Sequence, residues 1–110
     1  MNLGKQYLAL NVENLMRSKA FYELLGFTAT MGSQEKQWFI LKNGEVTIGI
    51  YQGIIPRNTI TFNPKDVREV QRDLRQQGFE FILEVDENGS GPGHFLILDP
   101  DGNPLFFDQH

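Results

Sequence analysis

The sequence contains no cysteine, which excludes disulfides, thiolate metal ligands and cysteine nucleophiles together. It has no apolar run approaching the ~18 residues that a membrane-spanning helix needs, so no membrane partner is expected. Its first residues, Met1-Asn2-Leu3-Gly4-Lys5, lack the apolar stretch of a secretory leader, and a soluble cytoplasmic protein is expected. Cations are few and scattered: 10 Lys and Arg stand against 14 Asp and Glu, for a net charge of −4. Without clustered cations to displace counterions, a nucleic-acid partner is not expected. Asn88-Gly89-Ser90 matches a glycosylation acceptor but, with no leader, reads as a turn.

What remains is a chain of 110 residues that is 40% hydrophobic. That is enough to bury a core and too apolar for disorder, so one domain spanning 1–110 is expected. Residues 6–12 alternate as a strand, with Leu8, Leu10 and Val12 on one face and Tyr7, Ala9 and Asn11 on the other. Asn14 is placed to cap a helix whose apolar stripe would be Leu15, Phe21, Leu24 and Leu25, and Gly26 supplies its left-handed stop. Residues 27–31, 37–42 and 45–52 read as three strands, the last two joined by a hairpin turn at Asn43-Gly44.

The pattern then restarts. Residues 58–62 read as a strand, Asn63 as a cap before Pro64, and Val67, Val70 and Leu74 as the core side of a helix ended by Gly78. Residues 79–85, 95–98 and 104–108 complete three more strands, with a tight turn at Asp99-Pro100-Asp101-Gly102-Asn103. Gly26-Phe27 and Gly78-Phe79 recur at a spacing of 52 residues, and the same shift lays Leu8 on Ile60, Leu10 on Phe62 and Leu15 on Val67. This weak repeat indicates a duplicated module, one copy at about 6–52 and the other at about 58–108. Neither copy would bury its sheet face alone, so the two are expected to form one cooperative unit.

Residues 12–27, from Val12-Glu13-Asn14-Leu15 to Leu24-Leu25-Gly26-Phe27, resemble the opening of the vicinal oxygen chelate superfamily. That group includes glyoxalase I, extradiol dioxygenases and bleomycin-resistance proteins. Phe95-Leu96-Ile97-Leu98-Asp99-Pro100-Asp101-Gly102-Asn103-Pro104-Leu105 resembles its closing hairpin, and the resemblance covers essentially the whole chain. It implies an α+β fold: two βαβββ modules whose eight strands form a curled mixed sheet, or cup, with the helices outside. Alternation would then turn Tyr7, Ala9, Asn11, Thr47, Gly49, Tyr51, Thr59, Thr61, Asn63, Phe106 and Asp108 into the cup. Either Trp38 and Ile40 or Phe39 and Leu41 would join them; alternation does not say which.

Metal-dependent members of the family hold a divalent ion with His, Glu or Gln side chains from the first and fourth strand of each module. Carried over by motif, those positions fall on Tyr7, Gly49, Thr59 and Phe106. Such a site needs three or four convergent imidazole or carboxylate donors, which these residues do not supply. A one-residue slip would swing the strand to its other face. No metal and no other cofactor are therefore expected.

Other candidates are bland on their own. His94, after the loop Gly89-Ser90-Gly91-Pro92-Gly93, reads as an exposed loop histidine, since no partner is visible to orient it as a base. That loop does not lead into a helix, so a lid or a plain connection is favoured over a phosphate cradle. Asp99 and Asp101 read as turn residues, and His110 as a frayed end.

The expected function is that of a metal-free, bleomycin-resistance-like protein binding a small, partly aromatic molecule. Tyr7, Trp38, Tyr51 and Phe106 would be the stacking surface, and Asn11, Thr59, Thr61 and Asn63 the polar contacts. The alternatives are a lyase or isomerase using a non-standard site, a cup filled by its own aromatic rings, and a structural dimerisation module. A homodimer is expected, because open strand edges invite pairing and nine phenylalanines exceed an obvious core.

Overall fold

The computed structural model describes residues 1–110. The chain runs β1 (Lys5–Asn11), α1 (Leu15–Leu24), β2 (Thr28–Ser33), β3 (Trp38–Asn43), β4 (Val46–Tyr51), β5 (Thr59–Asn63), α2 (Val67–Gln76), β6 (Gly93–Leu98) and β7 (Pro104–Gln109). The fold is α+β, with two helices and seven strands rather than eight. No helix is long and apolar enough to cross a membrane. The chain divides into two compact units, one of Tyr7–Asn58 and one of Thr59–His110 together with Met1–Gln6.

In the Tyr7–Asn58 unit the strands lie in the order β2-β3-β4-β1, antiparallel except for the parallel β1–β4 pair. Asn14 caps α1, its side-chain oxygen accepting from the Arg17 N–H at 3.0 Å, and Gly26 ends the helical segment with φ 99°. The hairpin between β3 and β4 has Gly44 and Glu45 as its loop residues, and of these only Gly44 has a positive φ, 58°. The expected stripe on α1 is turned. Phe21, Leu24 and Leu25 are 58%, 88% and 59% exposed, and Leu15 is the one fully buried residue of the helix. The covered side runs instead through Leu15, Ser18, Lys19 and Tyr22, at i, i+3, i+4 and i+7. Lys19 keeps its ammonium in reach of Glu23 while standing 5.4 Å over the Phe39 ring.

Leu15, Phe39, Leu41, Ile48 and Ile50 form the core of this unit, with Tyr22 and Phe27 packed against it. Phe39 and Leu41 therefore face α1, and Trp38 and Ile40 take the opposite face with Tyr7, Ala9, Asn11, Gly49 and Tyr51. The choice that alternation left open is made by which face the helix covers.

The second unit has β5 and β6 on either side of β7, β5 parallel and β6 antiparallel to it. Its core is Val67, Val70 and Leu74 of α2 against Phe95, Ile97 and Phe107. Phe107 stacks on Phe62 and Phe95 with ring centroids 5.0 and 4.5 Å away. Asp66, not Asn63, caps α2: its Oδ1 accepts from the Glu69 N–H, and the helix begins at Val67. Asn63 ends β5 and donates to the Asp108 carbonyl at 3.0 Å.

Residues 79–85 do not form the expected strand. They make a single bridge, Leu83 to Leu96. At the end of this segment α2 competes for the chain. Gln71 takes both the N–H and the carbonyl of Val85, Arg68 takes the carbonyl of Asp86, and Arg75 pairs with Glu84 and Glu87. Val85, with both backbone groups held by Gln71, is not free to extend the ladder along β6.

Candidate functional site

In the first unit the structure brings four of the expected site residues together, Tyr7, Asn11, Trp38 and Tyr51. Tyr51 opposes Asn11 on β1 and Trp38 on β3. Its ring is stacked with that of Trp38 at a centroid distance of 6.1 Å and an interplanar angle of 23°. Its hydroxyl lies 3.3 Å from the Tyr7 hydroxyl, within hydrogen-bond reach. The ring reaches Tyr7 by lying back over Gly49: a β-carbon on Gly49 would stand 2.7 Å from Tyr51 Cε2 and 3.1 Å from its oxygen. Ala9 and Gly49, register partners on β1 and β4, supply the small residues at that point. Lys36 stands 5.9 Å over the Trp38 ring. The Asn11 backbone N–H is held by Asn58 at 2.9 Å.

In the second unit Thr61 and Phe106 are register partners on β5 and β7, and Thr59 and Thr61 are both buried. Phe106 is half-buried and packs against His94 with ring centroids 5.1 Å apart. His94 is not in a loop: it is the second residue of β6, directly opposite Asp108. His110 is not free of contacts either, its Nε2 lying 3.2 Å from Asn63 Nδ2 and its Nδ1 4.0 Å from Asp108. Asp99 is a turn residue. Its carboxylate accepts from the Asn103 side chain and from the N–H groups of Asp101 and Asn103, which hold the carboxyl below the ordinary carboxylate range, Asn103 contributing most.

A divalent ion at the four family positions does not fit these residues. Gly49 offers no donor, and the space above it is filled by the Tyr51 ring. Phe106 has no lone pair, and no three His, Asp or Glu side chains of the chain converge anywhere.

The model of the Glyoxalase/Bleomycin resistance protein/Dioxygenase superfamily matches residues 5–107. The chain belongs to this superfamily. Solved structures agree on the fold. A superfamily member from Vibrio splendidus 12B01 is 15% identical with a TM-score of 0.73, covering 96% of this chain and 98% of that one. The methylmalonyl-CoA epimerase of Streptomyces coelicolor is 14% identical with a TM-score of 0.68, covering 98% and 95%. An extradiol ring-cleaving dioxygenase from B. fuscum is 20% identical with a TM-score of 0.62, covering 97% of this chain but 32% of the dioxygenase. No curated protein sequence matches the chain. At these identities the likeness extends to the fold, which many chemistries share.

Two features of this superfamily member were not foreseen: the closure of Tyr51 over Gly49, and the side-chain ties from α2 to residues 84–91. The first left a trace in the sequence, a glycine two residues before a tyrosine on one strand face. The second left a trace as Arg68, Gln71 and Arg75 at helical spacing among apolar positions.

Proposed function

We propose that this chain is a metal-free, bleomycin-resistance-like member of the superfamily, acting as one domain that binds a small, partly aromatic molecule in the cytoplasm. The observation that carries the reading is the Tyr7–Tyr51–Trp38 group on the face away from α1. It combines two stacked rings with a pair of hydroxyls, which is the pairing of apolar surface and oriented polar groups that small planar ligands need. Tyr51 is held from three sides, by Trp38, Tyr7 and the floor at Gly49, so its ring is ordered before a ligand arrives, and less ordering entropy opposes binding. Asn11 in this unit, and Thr59, Thr61, Asn63 and Phe106 in the other, stay in the proposed binding set.

Trp38 is the only tryptophan, so its fluorescence reports on this group alone. A thermal-shift screen of small aromatic molecules followed by titration of the Trp38 signal tests the reading. A ligand that raises the melting temperature, changes the Trp38 emission saturably and loses affinity in Tyr51→Ala supports it; ligands that stabilise the protein without touching the Trp38 signal, or no ligand in a broad screen, overturn it.

The exposed Phe21 and Leu24 of α1, with Leu25 at its C-cap, favour self-association as a second property. The proposed homodimer buries them, and light scattering of wild type against Leu24→Glu tests it: a dimer that dissociates in the variant is expected, and a wild-type monomer at micromolar concentration overturns it.

A further inference from the structure

Arg68 is 9% exposed, yet it takes part in no ion pair. The Lys19–Glu23, Arg75–Glu84, Arg75–Glu87 and His110–Asp108 pairs do not include it. The Arg68 guanidinium is held by neutral groups instead: Nε donates to the Asp86 carbonyl and Nη1 to the Gly91 carbonyl, each at 2.8 Å. Two carbonyls orient a cation but do not neutralise it, and a buried charge without a counter-charge is costly.

The third nitrogen makes no hydrogen bond within the protein. No buried side-chain nitrogen or oxygen lacks a partner, so Nη2 is not sealed in; it opens onto free space. Arg68 lines a hollow of about 330 Å³ together with Lys65, Arg72 and Ser90. Gly89 and Gly93 leave room for the guanidinium itself, since a β-carbon on Gly89 would stand 3.1 Å from Nη2 and one on Gly93 3.3 Å. Two carboxylates also border the hollow, and both are engaged: Asp66 caps α2, and Glu87 accepts from Gln71 and Arg75. Lys65, Arg68 and Arg72 outnumber the two carboxylates, with Arg72 in the field of Glu87, so the lining carries a net positive charge.

We propose that this hollow binds the phosphoryl group of a small ligand, with Arg68 Nη2 donating to it and Arg72 and Lys65 supplying charge. The site does not depend on the helix terminus or on the loop backbone. The Val67 N–H is already taken by Gln109, and the N–H groups of Asn88 and Gly89 by Asp86. The glycine-rich loop shapes the hollow, and the side chains of α2 do the recognising. Phosphoryl is preferred over carboxylate because the donors of Lys65, Arg68 and Arg72 suit a group with several acceptor oxygens, and the cations exceed the bordering carboxylates Asp66 and Glu87.

The test is a titration of the full chain with inorganic phosphate at low ionic strength, followed by amide NMR, with acetate as the parallel arm. Saturable shifts confined to residues 89–91 and the start of α2 are expected with phosphate and not with acetate. Arg68→Lys, which keeps the charge but loses the fork, should weaken phosphate binding about tenfold or more. Because Arg68 also tethers the loop, Arg72→Gln is the second arm: Arg72 is exposed and makes no hydrogen bond within the protein, and its loss should weaken binding several-fold with the melting temperature unchanged. Absence of saturable shifts with phosphate, equal response to acetate, or phosphate binding indifferent to Arg72→Gln would each overturn the proposal. None of these outcomes bears on the Trp38 titration, so the two readings fail separately.

Discussion

Tyr51 lies so close over Gly49 that a β-carbon there would stand 2.7 Å from the tyrosine's Cε2 atom. A glycine in a strand is ordinarily a weakness, with entropy lost and no side chain to pack. Here the missing side chain is replaced by a neighbour's ring, which in turn reaches Tyr7 and stacks on Trp38. The first consequence is a substitution that tests the contact directly. Gly49→Ala should push Tyr51 off its position and destabilise the protein by ~1–3 kcal/mol, the usual effect of overpacking. The same change should alter Trp38 fluorescence. Urea denaturation reads the first and an emission spectrum the second; a variant as stable as wild type with an unchanged spectrum would show that the ring is not held there.

Gln71 is fully buried and satisfies the Val85 N–H, the Val85 carbonyl and the Glu87 carboxylate at once. Gln71→Leu keeps the apolar bulk and strands two backbone groups. A loss of ~2–4 kcal/mol is expected, toward the lower part of the range that two unpaired groups at ~1–3 kcal/mol each would give, because Val85 is only half-buried. Amide exchange at Val85 should accelerate more than exchange within β7.

Phe107 and Phe106 are adjacent in sequence and opposite in environment. Phe107 is 2% exposed and sandwiched between Phe62 and Phe95, whereas Phe106 is half-buried beside His94. Phe107→Ala should cost ~3–5 kcal/mol and Phe106→Ala clearly less, because the cavity term needs a site that solvent cannot fill. Urea midpoints of the two variants check the order, and a reversed order would contradict the assigned faces of β7.

Acid should weaken the second unit in a defined window. The hydrogen bond from Gln71, against some desolvation and with help from Arg75, holds the Glu87 carboxyl below its ordinary 4.5, and Asn103 holds Asp99 below its ordinary 3.8. The folded protein keeps both groups ionised at pH values where the unfolded chain has already bound a proton. Their contribution is complete above the ordinary values and is lost as the pH falls through the lower folded ones. Glu87→Gln should lower the neutral plateau of a stability-against-pH curve measured by urea denaturation and leave its acid end nearly unchanged, so that the limb between them flattens.

Local chemistry made much of this chain legible. Asn14 bonds to a backbone N–H three residues away, Gly26 and Gly78 adopt positive φ at the ends of helical segments, and the 52-residue spacing carries over to the helices, Leu15–Leu24 and Val67–Gln76. The same spacing leads from Asn14 to Asp66, the true cap of α2, which a reading by residue type alone assigns to Asn63. These are properties of neighbouring residues, and a sequence contains them in full.

Other features depend on which distant group wins a contest, and only the tertiary structure decides that. Residues 79–85 have the composition of a strand, but Gln71, Arg68 and Arg75 hold the backbone groups and carboxylates at residues 84–87. Phe21, Leu24 and Leu25 are apolar enough for a core, but α1 turns Leu15 and Tyr22 to its sheet and leaves them outside. Composition sets what a segment is able to do. Hydrogen bonds and packing between segments far apart in the chain select one of those possibilities, because each buried donor, acceptor or apolar face can be satisfied by only one partner at a time.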